Sequence, residues 1–180
     1  MRLFAALVPS EEAIDHLTAS VAPLRDDALR WTDVSDWHLT LAFYGEVDEA
    51  RLPELAQRLT RAAARHEAVT LALAGAGRFG KQAVWVGCSG EVPALRRLAR
   101  SAIAAGRRAG ADVDDKRRFK PHVTLARAYK KRPADLRPYV AALAEYQGPT
   151  WSGREVQLIR SHLGSGRPRY ETVVAAPLGA

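Results

Sequence analysis

Two four-residue stretches carry the chemistry of this chain, His38-Leu39-Thr40-Leu41 and His122-Val123-Thr124-Leu125. Both read histidine, apolar, threonine, apolar. A β-strand turns successive side chains to opposite faces, so each histidine shares a face with its threonine while the aliphatic residues turn to the core. One such strand is ordinary. Two copies, each after a similar strand–helix unit, are hard to assign to chance. If their polar faces meet across a cleft, two imidazoles and two hydroxyls surround one spot. Histidine has an ordinary pKa of about 6.5, so near neutral pH one ring can be neutral and the other protonated. The neutral ring takes a proton from an attacking water, and the imidazolium gives one to the departing oxygen. Thr40 and Thr124 can donate hydrogen bonds to non-bridging oxygens as charge builds there. The constellation suits displacement at a phosphodiester, with attack and departure on opposite sides of phosphorus. That chemistry requires no metal and no cofactor.

The elements that must position these residues also recur. Arg2 to Val8 reads as a buried strand, followed by a helix from the Ser10 cap to about Pro23, with Ile14, Leu17 and Val21 on its core face. A loop containing Asp26, Asp27 and Trp31 leads to the first motif strand, which ends at Gly45-Glu46. A second helix is expected from Asp48 to about Arg65. Strands at Val69–Ala74 and Ala83–Cys88 flank the glycine-rich GAGRFGKQ, which reads as a turn and lacks the Lys-Ser/Thr ending of a phosphate loop. A helix from about Val92 to Arg108 and the charged loop DVDDKRR then precede FKPHVTLAR. Phe4 stands 34 residues before His38, and Trp85 stands 37 before His122. A last helix at about Ala134–Tyr146 and two strands near 151–163 and 168–175 complete the reading. This is a duplication in outline within one 1–180 unit, with no linker long enough to divide it.

Bulk composition narrows the partners. With 27 Lys+Arg against 20 Asp+Glu the formal charge is +7, which favours an anionic partner. A hydrophobic content of 47 % excludes general disorder. The single cysteine, Cys88, reads as a small strand residue, and its solitude fits a reducing cytoplasm. Residues 3–8 are too short for a membrane span and lack a signal-peptide cleavage pattern. We expect a cytoplasmic protein that binds no membrane and acts as a monomer.

The stretches RLFAALVPSEE, RWTDVSDWHLTLAFYGEV and FKPHVTLAR resemble the two-histidine (2H) phosphoesterase superfamily. The resemblance is greatest to its bacterial and archaeal RNA 2′,3′-cyclic phosphodiesterases, also called 2′-5′ RNA ligases. It covers nearly the whole chain and implies an α+β fold: two α/β lobes related by a pseudo-twofold axis, antiparallel sheets lining a central cleft and helices outside. It implies His38 as the proton donor to the leaving ribose oxygen and His122 as the base that activates water. The implied reaction opens a terminal 2′,3′-cyclic phosphate of RNA to a 2′-phosphate, with 2′-5′ joining as its reverse. Arg127, just past the second motif, is implied to neutralise the phosphate. Strict alternation puts Arg127 on the face opposite His122, so it needs a bulge, a strand end or a long reach. Its first-half counterpart is Phe43, which makes the expected site asymmetric in charge.

Other readings compete. His16, His66 and His162 read as surface or strand-end histidines, and zinc on His38 and His122 lacks further ligands at a telling spacing. The basic runs at 114–120, 129–133 and 165–170 could rim the site and favour RNA over a mononucleotide. Phe119, Tyr170 and Trp37 could stack on a base, with packing roles as the alternative. A basic RNA-binding module without turnover, or a phosphodiesterase of small cyclic nucleotides, are the alternative functions.

Overall fold

The computed structural model describes residues 1–179 of the chain. Its strands are β1 (Arg2–Leu7), β2 (Leu29–Trp31), β3 (Leu39–Glu46), β4 (Val69–Phe79), β5 (Ala83–Gly90), β6 (Val123–Ala128), β7 (Gln147–Gly153), β8 (Glu155–His162) and β9 (Arg169–Pro177). The helices are α1 (Glu11–Val21), α2 (Leu52–Ala64), α3 (Val92–Arg108) and α4 (Arg137–Leu143). All pairings within the two sheets are antiparallel: one sheet runs β3-β1-β8-β9, the other β2-β6-β5-β4-β7.

The helices form where capping and apolar spacing agree. The Ser10 hydroxyl accepts the Ala13 N–H at 3.2 Å, and Glu11 and Glu12 lie in the first turn of α1, where carboxylates suit the positive helix end. Ala13, Leu17 and Val21 recur every four residues and are buried. Leu55 and Leu59 of α2, and Leu95 and Leu98 of α3, do the same. Each fully buried leucine contributes about 1.5–3 kcal/mol of transfer free energy. The main buried cluster draws on both sheets as well as the helices, with Leu3 and Leu39 from one sheet and Leu73 and Leu125 from the other. Among the described residues no helix is long and apolar enough to cross a membrane.

The sequence halves do not each build one sheet. β2 falls in the stretch expected to be loop and pairs with β6 of the second sheet. β8 and β9 return from the C-terminal end to complete the first sheet. β1 has β3 on one side only, and its other edge would expose unpaired backbone N–H and C=O groups without β8. The C-terminal part holds three strands where two were expected, because 147–153 adds an edge to β4. α4 is shorter than the expected 134–146, and residues 49–51 form a 3-10 turn before α2.

The glycine-rich stretch is also a correction. Residues 75–79 continue β4, with a bulge at Gly75 (φ +68°), and the turn lies after Phe79. The reason is Trp85. A Cβ on Gly77 would lie 2.3 Å from the indole of Trp85, its cross-strand partner, so only glycine leaves room for that ring.

Candidate active site

His38 and His122 each stand immediately before a strand, β3 and β6. Their side chains are set by the same local bond. Nδ1 of His38 lies 2.6 Å from the carbonyl of Asp36, and Nδ1 of His122 lies 2.6 Å from the carbonyl of Lys120. A carbonyl only accepts, so Nδ1 carries the hydrogen in both rings and donates it. Nε2 is left as the proton-exchanging atom.

Aromatic walls fix the planes. The His38 ring packs on Phe4 of β1 at 4.8 Å between centroids and edge-on to Tyr170 of β9 at 5.4 Å. The His122 ring packs on Phe79 at 4.8 Å and on Trp85 at 5.9 Å. The residues 34 and 37 places upstream are thus the floors beneath the two imidazoles. Phe79 and Tyr170 complete the walls. Phe79 was hidden in a stretch that read as a turn.

Register explains the remaining residues. Ala6 pairs with Thr40 and Ala5 with Ala42, so Leu41 is an extra residue in β3. Trp85 pairs with Thr124 and Val84 with Ala126, so Leu125 is the extra residue in β6. A bulge reverses the alternation beyond it. Thr40, on the face of Phe4 and Ala6, is therefore followed on that face by Phe43, and Thr124 by Arg127. The bulge that strict alternation demanded for Arg127 exists, and β3 has a matching one. Both threonines are half-buried, and Phe43 is 58 % exposed.

Charge follows this geometry. Burial lowers the pKa of His38, the Asp36 carbonyl opposes it, and the charge of His122 lowers it further. Burial also lowers His122, against its Lys120 carbonyl, with the charges of Arg127 and Lys120 adding to the depression. The field of Arg127 also reaches Tyr170 on the other sheet. The charge of His122 thus bears on His38 and that of Arg127 on His122, and Thr40 shares a face with Phe43 as Thr124 does with Arg127.

Arg30 was missed from the sequence. It lies directly opposite Arg127 in the β2–β6 pairing, and both are exposed. Like charges opposite each other on adjacent strands disfavour the sheet, and an anion between them removes that cost. The missed signal was β2, three residues long.

Of the other candidates, only Tyr170 joins this cluster. Trp37 is 2 % exposed and belongs to the core, so it offers no face to a base. Phe119 packs against the core, and Tyr170 serves as a wall for His38. His16 bonds Tyr146 at 2.8 Å, His66 bonds Ser101 at 2.7 Å, and His162 pairs with Glu171 at 2.7 Å. Burial pushes the Cys88 thiol up to about 12. No group of three or more His, Cys, Asp or Glu able to hold a metal occurs among the described residues. Within the basic runs, Arg167 pairs with Asp33 at 3.1 Å and Arg132 donates to the Asp27 carbonyl at 2.6 Å.

A family model described as the 2′-5′ RNA ligase superfamily matches residues 8–165. An RNA 2′,3′-cyclic phosphodiesterase of Geobacillus stearothermophilus is 34% identical over 156 residues, 82% of this chain and 47% of that protein. The chain thus spans about half of that relative. An RNA 2′,3′-cyclic phosphodiesterase of Aeropyrum pernix is 32% identical over 170 residues, 87% of this chain and 94% of that protein. Apo LigT of E. coli superposes with a TM-score of 0.80 at 27% identity, covering 99% of this chain and 98% of that one. LigT with bound 3′-AMP gives the same TM-score and identity, covering 98% and 97%.

Proposed function

The chain belongs to the 2′-5′ RNA ligase superfamily, and from that membership we propose that it opens the terminal 2′,3′-cyclic phosphate of RNA to a 2′-phosphate. The relatives from Geobacillus stearothermophilus and Aeropyrum pernix, both named as RNA 2′,3′-cyclic phosphodiesterases, support the substrate class. In this reading water enters opposite the leaving oxygen. Nε2 of His122 takes the water proton as the water oxygen bonds to phosphorus. The bond from phosphorus to the ribose O3′ breaks, and O3′ receives the proton of His38 Nε2. The products are a 2′-phosphomonoester and a free 3′-hydroxyl. Thr40 and Thr124 donate to the non-bridging oxygens, and Arg127 balances their charge. With a ribose 5′-hydroxyl in place of water, the same steps in the same direction form a 2′-5′ linkage: the 5′-oxygen bonds to phosphorus, the bond to O3′ breaks and O3′ takes the proton of His38. One chain supplies every group.

One observation carries the reading: both imidazoles hold Nδ1 on a backbone carbonyl at 2.6 Å and so offer Nε2 for proton transfer. The test is a short RNA with a 2′,3′-cyclic phosphate end, incubated with the protein in EDTA. The expected result is a 2′-phosphate product, lost in His38→Ala and in His122→Ala. Binding without turnover in the wild-type protein would make it an RNA-binding module instead. A reaction stopped by EDTA and restored by zinc would overturn the metal-free mechanism.

A further inference from the structure

A cavity of about 230 Å³ opens beside the His38 ring, between the 35–37 segment that leads into β3 and the face of β8 and β9. Register puts its floor on the same face as the candidate site. Phe4 and Ala6, which share the face of Thr40, pair on their other side with Ile159 and Gln157 of β8. Ile159 pairs in turn with Thr172 of β9. The Thr172 hydroxyl donates to Gln157 Oε1 at 2.9 Å, so these two side chains lie on one face. Tyr170, edge-on to His38, closes one side.

The polar lining is short of donors. The Ser35 hydroxyl gives its hydrogen to Asp33 Oδ1 at 2.8 Å and Thr172 gives its hydrogen to Gln157, so both are left as acceptors. Asp33 is itself paired with Arg167 at 3.1 Å. The carbonyl of Asp36 holds His38, but its carboxylate accepts no hydrogen bond among the described residues. Burial and the charge of Asp33 raise the pKa of Asp36, against the charge of Arg167, as befits a carboxylate without donors. Ile159, 5 % exposed, and Val8 supply the apolar part of the lining.

We propose that this cavity holds the base of the nucleotide whose cyclic end is opened, and that the Asp36 carboxylate makes it selective for guanine. The inference rests on the proposed function: if His38 protonates the leaving ribose oxygen, the ribose lies against His38 and its base is next to the cavity. The volume suits one base, since pockets for drug-sized ligands run to about 300–1,000 Å³. A carboxylate only accepts. Guanine offers it two adjacent donors, N1–H and the N2 amine, which a carboxylate can take with both oxygens. Adenine and cytosine offer one amine each. Uracil offers one N–H between two carbonyls, whose oxygens meet the carboxylate unfavourably. The expected order is guanine, then adenine and cytosine, then uracil. Phe43, on the other side of Phe4 in the same cross-strand row, is left to the base of the preceding nucleotide.

The test measures kcat/KM for the four nucleoside 2′,3′-cyclic phosphates and, separately, the affinity for the four nucleoside 2′-monophosphates, which needs no turnover. In the wild type guanosine should exceed uridine about 10-fold in both, the scale of one hydrogen bond to a charged group. Asp36→Asn keeps the shape and the backbone carbonyl that holds His38 but removes the charge. The guanosine-to-uridine ratio should then fall to about 2-fold. The ratio compares two substrates of one protein, so any general effect on His38 cancels. Asp36→Glu, which restores the charge, should recover part of the ratio. A wild type that treats the four bases alike would overturn the subsite, as would a ratio untouched by Asp36→Asn or an equal loss on all four substrates. A wild type that opens no cyclic phosphate yet binds guanosine 2′-phosphate in preference to the uridine form supports the base preference and overturns the proposed function.

Discussion

Phe43 and Arg127 occupy the same position in two strands of opposite sheets. Each is the third residue after a motif threonine, and each is returned to the threonine's face by a bulged leucine, Leu41 or Leu125. The backbone device is duplicated, and the side chain it delivers is not. One lobe presents an exposed aromatic ring and the other a guanidinium.

That asymmetry predicts unequal consequences. Arg127→Ala should lower kcat/KM for cyclic-phosphate opening by about 100-fold, since it removes a charge-assisted contact worth about 1.5–3 kcal/mol. Arg127→Lys should recover part of the loss. Arg30→Ala should cost less, about 10-fold, because Arg127 still faces the anion.

Phe43→Ala should act on binding. Loss of one stacked base costs about 1–3 kcal/mol, so KM for a cyclic-ended RNA should rise roughly 10-fold with kcat little changed. A fall in kcat at constant KM would remove Phe43 from the base and place it with the reacting groups.

For the histidines, His38→Gln and His122→Gln should each lower kcat by about 10²–10⁴-fold, the range of general acid–base catalysis. The double variant should be far less impaired than the product of the two losses, because the pair acts as a unit. Cys88→Ala, by contrast, should leave turnover unchanged; a thiol held near 12 is not a nucleophile at neutral pH.

The pH profile follows from the direction of both shifts. Burial lowers the pKa of His38 and of His122 below the ordinary 6.5. One ring must be protonated and the other neutral, so kcat/KM should be bell-shaped with its maximum on the acid side of pH 6.5. It should fall toward pH 8 as the acid loses its proton. A bound phosphate anion favours imidazolium, so the kcat profile should lie at higher pH than that of kcat/KM. A maximum of kcat/KM above pH 8 would contradict the assignment.

Gly77→Ala tests the floor beneath His122. The added methyl must displace the Trp85 ring, at about 1–3 kcal/mol of stability. Turnover should fall as well, because that ring packs on His122. Gly164→Ala, with open space around it and no positive φ, should change neither the melting temperature nor the rate.

Local pattern carried much of this protein. Apolar residues spaced four apart marked α1, and the paired His-x-Thr stretches marked both motif strands, because helical and strand periodicity are properties of neighbouring residues. The spacing of Phe4 to His38 and of Trp85 to His122 marked the repeat, whereas the packing of those rings on the imidazoles is seen only in the fold. What the sequence left open was decided by pairing between distant segments. Only the register of β3 on β1 and of β6 on β5 shows that Leu41 and Leu125 are bulged, and hence that Arg127 turns toward His122. Only tertiary pairing sets a three-residue β2 beside β6, and with it Arg30 beside Arg127. Phe79 became a wall of the site because Gly77 admits the ring of Trp85 from the next strand. A bulge, a short edge strand and a steric vacancy leave little trace in periodicity, since each exists only relative to a partner elsewhere in the chain.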